Sequence, residues 1–145
     1  MDTMRYEYSR PQKQKLGRED EKTMEPKKIL VVDDSKLIHK MFEVMLRSNT
    51  LVHAEDGQEG LQRLVENADV DLILLDINMP RMNGLEFLDA VKRNNAFVQI
   101  PVVIVSTEGK EEDTERALQA GAAAYIKKPF ESESILSVIS KVLAS

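Results

Sequence analysis

Three segments of this chain, Ile29-Leu30-Val31-Val32, Leu72-Ile73-Leu74-Leu75 and Val102-Val103-Ile104-Val105, are unbroken runs of four aliphatic residues. A half-exposed strand alternates apolar and polar residues. A strand that is apolar at every position needs both faces covered, as inside a parallel sheet. Between the runs, apolar residues recur at helical spacing: Leu37-Ile38-Met41-Phe42-Met45-Leu46, Leu61-Leu64-Val65, Leu85-Leu88-Val91 and Ala117-Leu118-Gly121. Two further short strands are expected at Leu51-Val52-His53-Ala54 and Ala123-Ala124-Tyr125-Ile126, and a closing amphipathic helix through Ile135-Leu136-Val138-Ile139-Val142-Leu143. Strands alternating with helices predict an α/β fold, (βα)5, with a doubly wound five-stranded parallel sheet and right-handed crossovers.

In an open sheet of this kind, ligands sit beyond the carboxyl ends of the strands, where loops converge and helix N-termini point. Asp33, Asp34, Asp76, Ser106 and Lys128 all fall at or just past such ends. Topology therefore gathers three carboxylates, a hydroxyl and an amine. Mg²⁺ takes hard oxygen ligands in octahedral geometry, with one or two carboxylates, waters and a phosphate completing the shell. Asp34 and Asp76 suit direct coordination and Asp33 contact through a water, so the set reads as a Mg²⁺-dependent phosphoryl-acceptor site. Crowded carboxylates repel and titrate together, and a divalent cation relieves that repulsion.

Each residue also has a plainer reading. One of Asp33 and Asp34 could simply cap the helix starting near Ser35-Lys36, Asp76 could be a loop aspartate before Met79-Pro80, and Ser106 a turn cap. Lys128 could be merely exposed. What favours the functional reading is the joint occurrence at successive strand ends, since a carboxylate directly after four aliphatics sits at the edge of a core. Lys128 precedes Pro129, where a cis peptide is accessible; a cis bond would turn the ammonium back over the carboxylates.

At 145 residues the chain suits one domain with a sizeable core. Its 42% hydrophobic content and the absence of an apolar run near the ~18 residues of a membrane span predict a soluble, cytoplasmic protein with no membrane contact. With no cysteine, disulfides, thiolate metal sites and cysteine nucleophiles are excluded. A net charge of −5 disfavours direct nucleic-acid binding. Residues 1–26 mix charges without a hydrophobic period and are expected to be a disordered extension preceding a domain at 27–145. Tyr6 and Tyr8 are its candidate anchors, and Met24 an alternative start.

Five motifs in order, ILVVDDS at 29–35, AEDGQEGL at 54–61, DLILLDINMPRMNGLEFL at 71–88, PVVIVST at 101–107 and QAGAAAYIKKPF at 119–130, resemble those of a response-regulator receiver domain, and especially the single-domain chemotaxis-type regulators. The resemblance spans about Lys27 to Leu143 and implies a flavodoxin-like fold. It implies that Asp76 is the phosphoacceptor, taking a phosphoryl group from a histidine kinase or phosphotransfer protein. Asp33 and Asp34 would hold Mg²⁺ together with Asp76 and the backbone carbonyl of Asn78. Ser106 matches the switch hydroxyl, Lys128 the phosphate-contacting lysine and Tyr125 an aromatic switch. Asn78 and Glu108 match positions that tune dephosphorylation.

The expectation is therefore a two-component signalling protein, not an enzyme, although it promotes its own phosphoryl transfer and dephosphorylation. It would signal by binding a downstream protein through the surface at Glu112 to Ala120, Ala123 to Ile126 and Ser132 to Leu143, as a monomer or a phosphorylation-linked dimer. The sequence stops just after the last helix, so no output domain is expected unless the chain is a fragment of a larger regulator. Two departures from the family pattern stand out: a short connection through Arg47-Ser48-Asn49-Thr50, and Gly60 where the second helix usually carries Ala, at a cost of roughly 1 kcal/mol.

Rival classes are weaker. A haloacid-dehalogenase-type phosphatase would place a second Asp two residues after the nucleophile, where this chain has Asn78. A flavodoxin-like cofactor protein wants Ser, Thr or Gly after the first strand, where Asp33-Asp34 would repel phosphate. A constitutive, non-phosphorylated receiver-like binding module remains the alternative that leaves the fold intact. His39 and His53 are expected to be isolated, without metal-ligand spacing, and Met41 and Met45 to be core filler.

Overall fold

Each of the five runs forms a strand, and the ladders that join them are all parallel. The structure, a computed structural model, describes residues 25–79, 82–107 and 111–144. The strands are β1 (Lys28–Val32), β2 (Thr50–Ala54), β3 (Leu72–Leu75), β4 (Val102–Ser106) and β5 (Ala124–Lys127). The helices are α1 (Lys36–Met45), α2 (Gly57–Glu66), α3 (Gly84–Arg93), α4 (Glu111–Gln119) and α5 (Ser132–Ala144). The sheet order is β2-β1-β3-β4-β5, so the chain reverses direction across the sheet after β2 and the crevice of a doubly wound sheet opens beyond β1 and β3.

Why the central runs are apolar throughout is visible in the two cores. Leu30, Val32, Ile73, Leu75, Val102 and Ile104 face Leu64 of α2, Phe87, Leu88 and Val91 of α3 and Ala117 of α4. The alternate residues Ile29, Val31, Leu72, Leu74, Val103 and Val105 face Phe42 of α1 and Ile135, Val138, Ile139 and Val142 of α5. Every residue of β3 is buried, whereas β2, at the edge, is half-buried over most of its length. Met45 packs at the margin of the second core, as filler.

Local chemistry sets the helix ends. Ser35 caps α1 by accepting from the Ile38 N–H, Asp56 caps α2 through the Glu59 N–H, and Asn83 with Glu86 forms a reciprocal capping box on α3. The apolar spacing carries α4 to Gly121, but the structure ends it at Gln119. Gly121 adopts φ +109, and the N–H groups of Gly121 and Ala122 return to the carbonyls of Leu118 and Ala117. This is the left-handed C-terminal turn that glycine favours.

The short connection after α1 is real: Leu46 closes the helix, and β2 begins at Thr50. Gly60 has a packing reason, because a Cβ there would meet Phe87 Cε1 at 2.7 Å and Val32 Cγ2 at 3.2 Å. Tyr6, Tyr8, Met24 and most of the 1–26 extension lie outside the described residues, as does Glu108. No described helix is long and apolar enough to cross a membrane.

Candidate functional site

The parallel ladder runs one residue past the strands and so fixes two carboxylates side by side. The Asp33 N–H donates to the Ala54 carbonyl at 3.0 Å and the Asp76 N–H to the Val32 carbonyl at 2.9 Å. At the other side, the Lys128 N–H donates to the Ser106 carbonyl at 2.9 Å. Backbone hydrogen bonds thus set the roots of four polar side chains before any of them interacts.

Their side chains then converge. Ser106 Oγ, fully buried, donates to Asp76 Oδ1 at 2.7 Å. The Asn78 N–H reaches the same oxygen at 3.3 Å. Lys128 Nζ donates to Asp33 Oδ2 at 2.8 Å and stands 3.8 Å from Asp76 Oδ2. The Lys128-Pro129 peptide is cis. Asp33 Oδ1 accepts from the Ser35 N–H at 2.8 Å. Capping is therefore Ser35's work, and neither Asp33 nor Asp34 is spent on it.

Asp33, Asp34 and Asp76 each offer one oxygen, all within 4.8 Å of one another. Asp33 and Asp76 are buried and Asp34 is exposed, so the cluster opens to solvent on the Asp34 side. The donor set is three hard oxygens with a free approach, which fits Mg²⁺ and its retained waters and fits poorly a metal that prefers nitrogen or sulfur. Burial, and next the repulsion of Asp33, raise the Asp76 carboxyl above its ordinary range; the Ser106 hydroxyl, Lys128 and the Asn78 N–H offset part of that rise.

Gly84 was not singled out by its sequence, yet it shapes the pocket. Its N–H donates to the Ile77 carbonyl at 2.8 Å, and a Cβ there would lie 2.4 Å from the Asp76 carbonyl oxygen and 2.5 Å from Ile77 Cα. Backbone cannot yield by that much. The segment carrying Asn78 is therefore folded back directly onto the start of α3.

Tyr125 is buried in the core on the α4 side, opposite Ile104 in the β4–β5 register. Asn78 is exposed at the mouth. The histidines are not isolated, contrary to the sequence expectation. His39 Nδ1 lies 2.6 Å from His53 Nδ1, His39 Nε2 lies 2.7 Å from the Asp33 carbonyl oxygen, and His53 Nε2 lies 2.5 Å from Glu43 Oε2. The pair is split between α1 and β2, so no short-range spacing could have announced it.

Comparison with known proteins agrees with this geometry. The family model for the response regulator receiver domain matches residues 29–140. The chemotaxis protein CheY1 of Helicobacter pylori is 36% identical over 121 residues, covering 81% of this chain and 98% of that protein. Among solved structures, chemotaxis protein CheY4 of Vibrio cholerae superposes with a TM-score of 0.76 at 32% identity, covering 81% of this chain and 98% of that one. The CheX–CheY–BeF3–Mg²⁺ complex of Borrelia burgdorferi gives 0.78 at 27% identity, covering 83% of this chain and 91% of that one.

Proposed function

The chain belongs to the response regulator receiver family, and from that membership we propose that it is a two-component signalling protein phosphorylated on Asp76. The observation that carries the proposal is the convergence of Ser106, Lys128 and two further carboxylates on Asp76 at the end of β3. The donor is a histidine kinase or a phosphotransfer protein.

Phosphoryl transfer passes through a loose transition state and asks the protein chiefly for positioning and charge stabilisation. Asp76 is the nucleophile: a carboxylate oxygen bonds to phosphorus as the donor's nitrogen–phosphorus bond breaks, its electron pair staying on the ring nitrogen, and a proton on the donor's other ring nitrogen lets the group leave as neutral imidazole, with an acyl phosphate left on Asp76. Lys128, already 3.8 Å from Asp76 Oδ2, turns from Asp33 toward the phosphoryl oxygens. Asp33, Asp34, Asp76 and the Asn78 carbonyl are the residues that would hold Mg²⁺. The cation supplies positive charge against the phosphoryl oxygens.

Ser106 couples the chemistry to the fold. Its hydroxyl now donates to the Asp76 oxygen, and a phosphoryl group offers it stronger acceptor oxygens slightly further out. Recruiting Ser106 and Lys128 to the phosphoryl oxygens pulls their loops inward, and Tyr125, paired with Ile104 across β4 and β5, follows that shift as a pre-existing equilibrium is biased. Asn78 and Glu108 tune the lifetime of the mark. The output is protein binding at α4, β5 and α5, in the cytoplasm, by a monomer or phosphorylation-linked dimer. The protein is a signalling component and has no further catalytic role. The Borrelia CheY in complex with CheX supports a protein partner of this kind.

Fluoroberyllate, which has the shape and charge of a bound phosphoryl group, tests this reading. Titrated with Mg²⁺ into the protein and followed by ¹⁹F NMR, it should give a bound resonance that is absent without Mg²⁺ and in Asp76→Asn. No bound resonance in the wild type would favour a constitutive binding module instead.

A further inference from the structure

His39 projects from α1 and His53 from the edge strand β2, and their rings meet at an angle of 65° with centroids 4.7 Å apart. The partners of the outer nitrogens decide the tautomers. His39 Nε2 faces a backbone carbonyl, that of Asp33, and His53 Nε2 faces the carboxylate of Glu43. Both oxygens accept only, so each Nε2 carries a hydrogen and donates it. A neutral ring with Nε2–H has a bare lone pair on Nδ1. Two such lone pairs 2.6 Å apart repel unless something positive lies between them. That positive species is either one proton or a metal ion.

The outer bonds favour the metal. A histidine that ligates a metal through one nitrogen generally donates the other N–H to a backbone carbonyl or a carboxylate, which fixes the tautomer and orients the ring. Here each of the two rings has such an anchor, one of each kind. Both side chains are only partly buried, and that of His53 is 34% exposed, so a hydrated ion can approach.

We propose that His39 and His53 bind a borderline divalent cation of the Zn²⁺ class between their Nδ1 atoms, with the Asp33 carbonyl and Glu43 carboxylate holding the two rings. Zinc–nitrogen bonds of 2.0–2.1 Å in a tetrahedral site put two ligand nitrogens about 3.3 Å apart. The pair therefore opens by about 0.7 Å from its 2.6 Å separation, a small turn of the half-exposed His53 ring. Water completes the shell. Imidazole nitrogen selects Zn²⁺ or Cu²⁺ over Mg²⁺, and the all-oxygen pocket at Asp33, Asp34 and Asp76 has the opposite preference. The two sites thus sort cations by ligand chemistry, and the histidine site does not depend on any role of Asp76.

The test is Zn²⁺ titration calorimetry on the full chain with saturating Mg²⁺ present to block the acidic pocket. One ion per chain is expected, with affinity falling on the order of 100-fold in His39→Gln and in His53→Gln, since each removes a ligand. Glu43→Gln keeps both ligands and loses only the charged acceptor, so it should weaken binding by about 10-fold. Circular dichroism melts confirm that the variants fold. Substituted Cu²⁺ supplies a signature the oxygen pocket cannot give: electron paramagnetic resonance should show nitrogen couplings from two imidazoles in the wild type and one in either histidine variant. Identical Zn²⁺ isotherms for wild type and His53→Gln, or a Cu²⁺ spectrum without imidazole coupling, would overturn the proposal and leave a proton as the only bridge.

Discussion

Replacing Gly60 by Ala sets two physical effects against each other. Helix propensity alone favours the substitution by about 1 kcal/mol, because Gly60 lies within α2. The new Cβ, however, would sit 2.7 Å from Phe87 Cε1 and 3.2 Å from Val32 Cγ2. Carbon atoms in ordinary contact are about 3.5–4.0 Å apart, so Phe87 would have to retreat by about 1 Å. Phe87 is fully buried in the core that also holds Leu64, Leu75 and Leu88, so any retreat must displace packed neighbours. Overfilling a packed core costs about 1–3 kcal/mol. The balance is a net loss of about 1 kcal/mol, which for a domain of this size lowers the melting temperature by about 4 °C. Urea denaturation followed by circular dichroism measures it directly. Gly60→Ala combined with Phe87→Leu should lose less than the two single changes added together, because Leu lacks the Cε1 atom. A Gly60→Ala protein about 1 kcal/mol more stable than wild type would refute the packing argument and leave propensity as the governing effect.

Other expectations follow from the pocket. The Asp76 carboxyl is raised by burial and by Asp33, so the native state keeps that proton where the unfolded chain has lost it. The associated stability is present below the ordinary carboxylate range of about 4 and is lost as pH rises through the folded value. Metal-free Asp76→Asn should therefore melt above metal-free wild type at pH 7, with the gap closing toward pH ~4 and narrowing when Mg²⁺ is added; melts across a pH series read both. Lys128→Met strips Asp33 of its 2.8 Å partner and strands a buried carboxylate, which should cost about 3 kcal/mol by urea denaturation, and less in Mg²⁺. Gly84→Ala forces a Cβ against the Asp76 carbonyl; the expected result is a loss of about 2–3 kcal/mol together with weaker Mg²⁺ affinity, measured by denaturation and calorimetry.

What the sequence disclosed and what it hid have physical causes. The runs at β1, β3 and β4 were legible because burial on both faces leaves no room for polar residues, and their bounds agree with the structure to within one residue. Asp33, Asp34, Asp76, Ser106 and Lys128 were legible because a parallel sheet places all strand ends on one edge, and the structure brings the five together. The end of α4 was misjudged, since Gly121 keeps the helical period while taking a left-handed turn. Gly60 was read as a propensity cost, because the Phe87 ring against it comes from another helix. The His39–His53 contact was missed for the same reason: it joins α1 to β2, and only the assembled fold brings the rings together.

Whether Asp76 is a Mg²⁺-dependent phosphoacceptor can be read from intact mass after incubation with acetyl phosphate. Wild type should gain about 80 Da, one phosphoryl group, that is removed by hydroxylamine and absent both without Mg²⁺ and in Asp76→Asn. An equal gain in Asp76→Asn, or none in wild type with Mg²⁺ under conditions that also trap short-lived acyl phosphates, would contradict it.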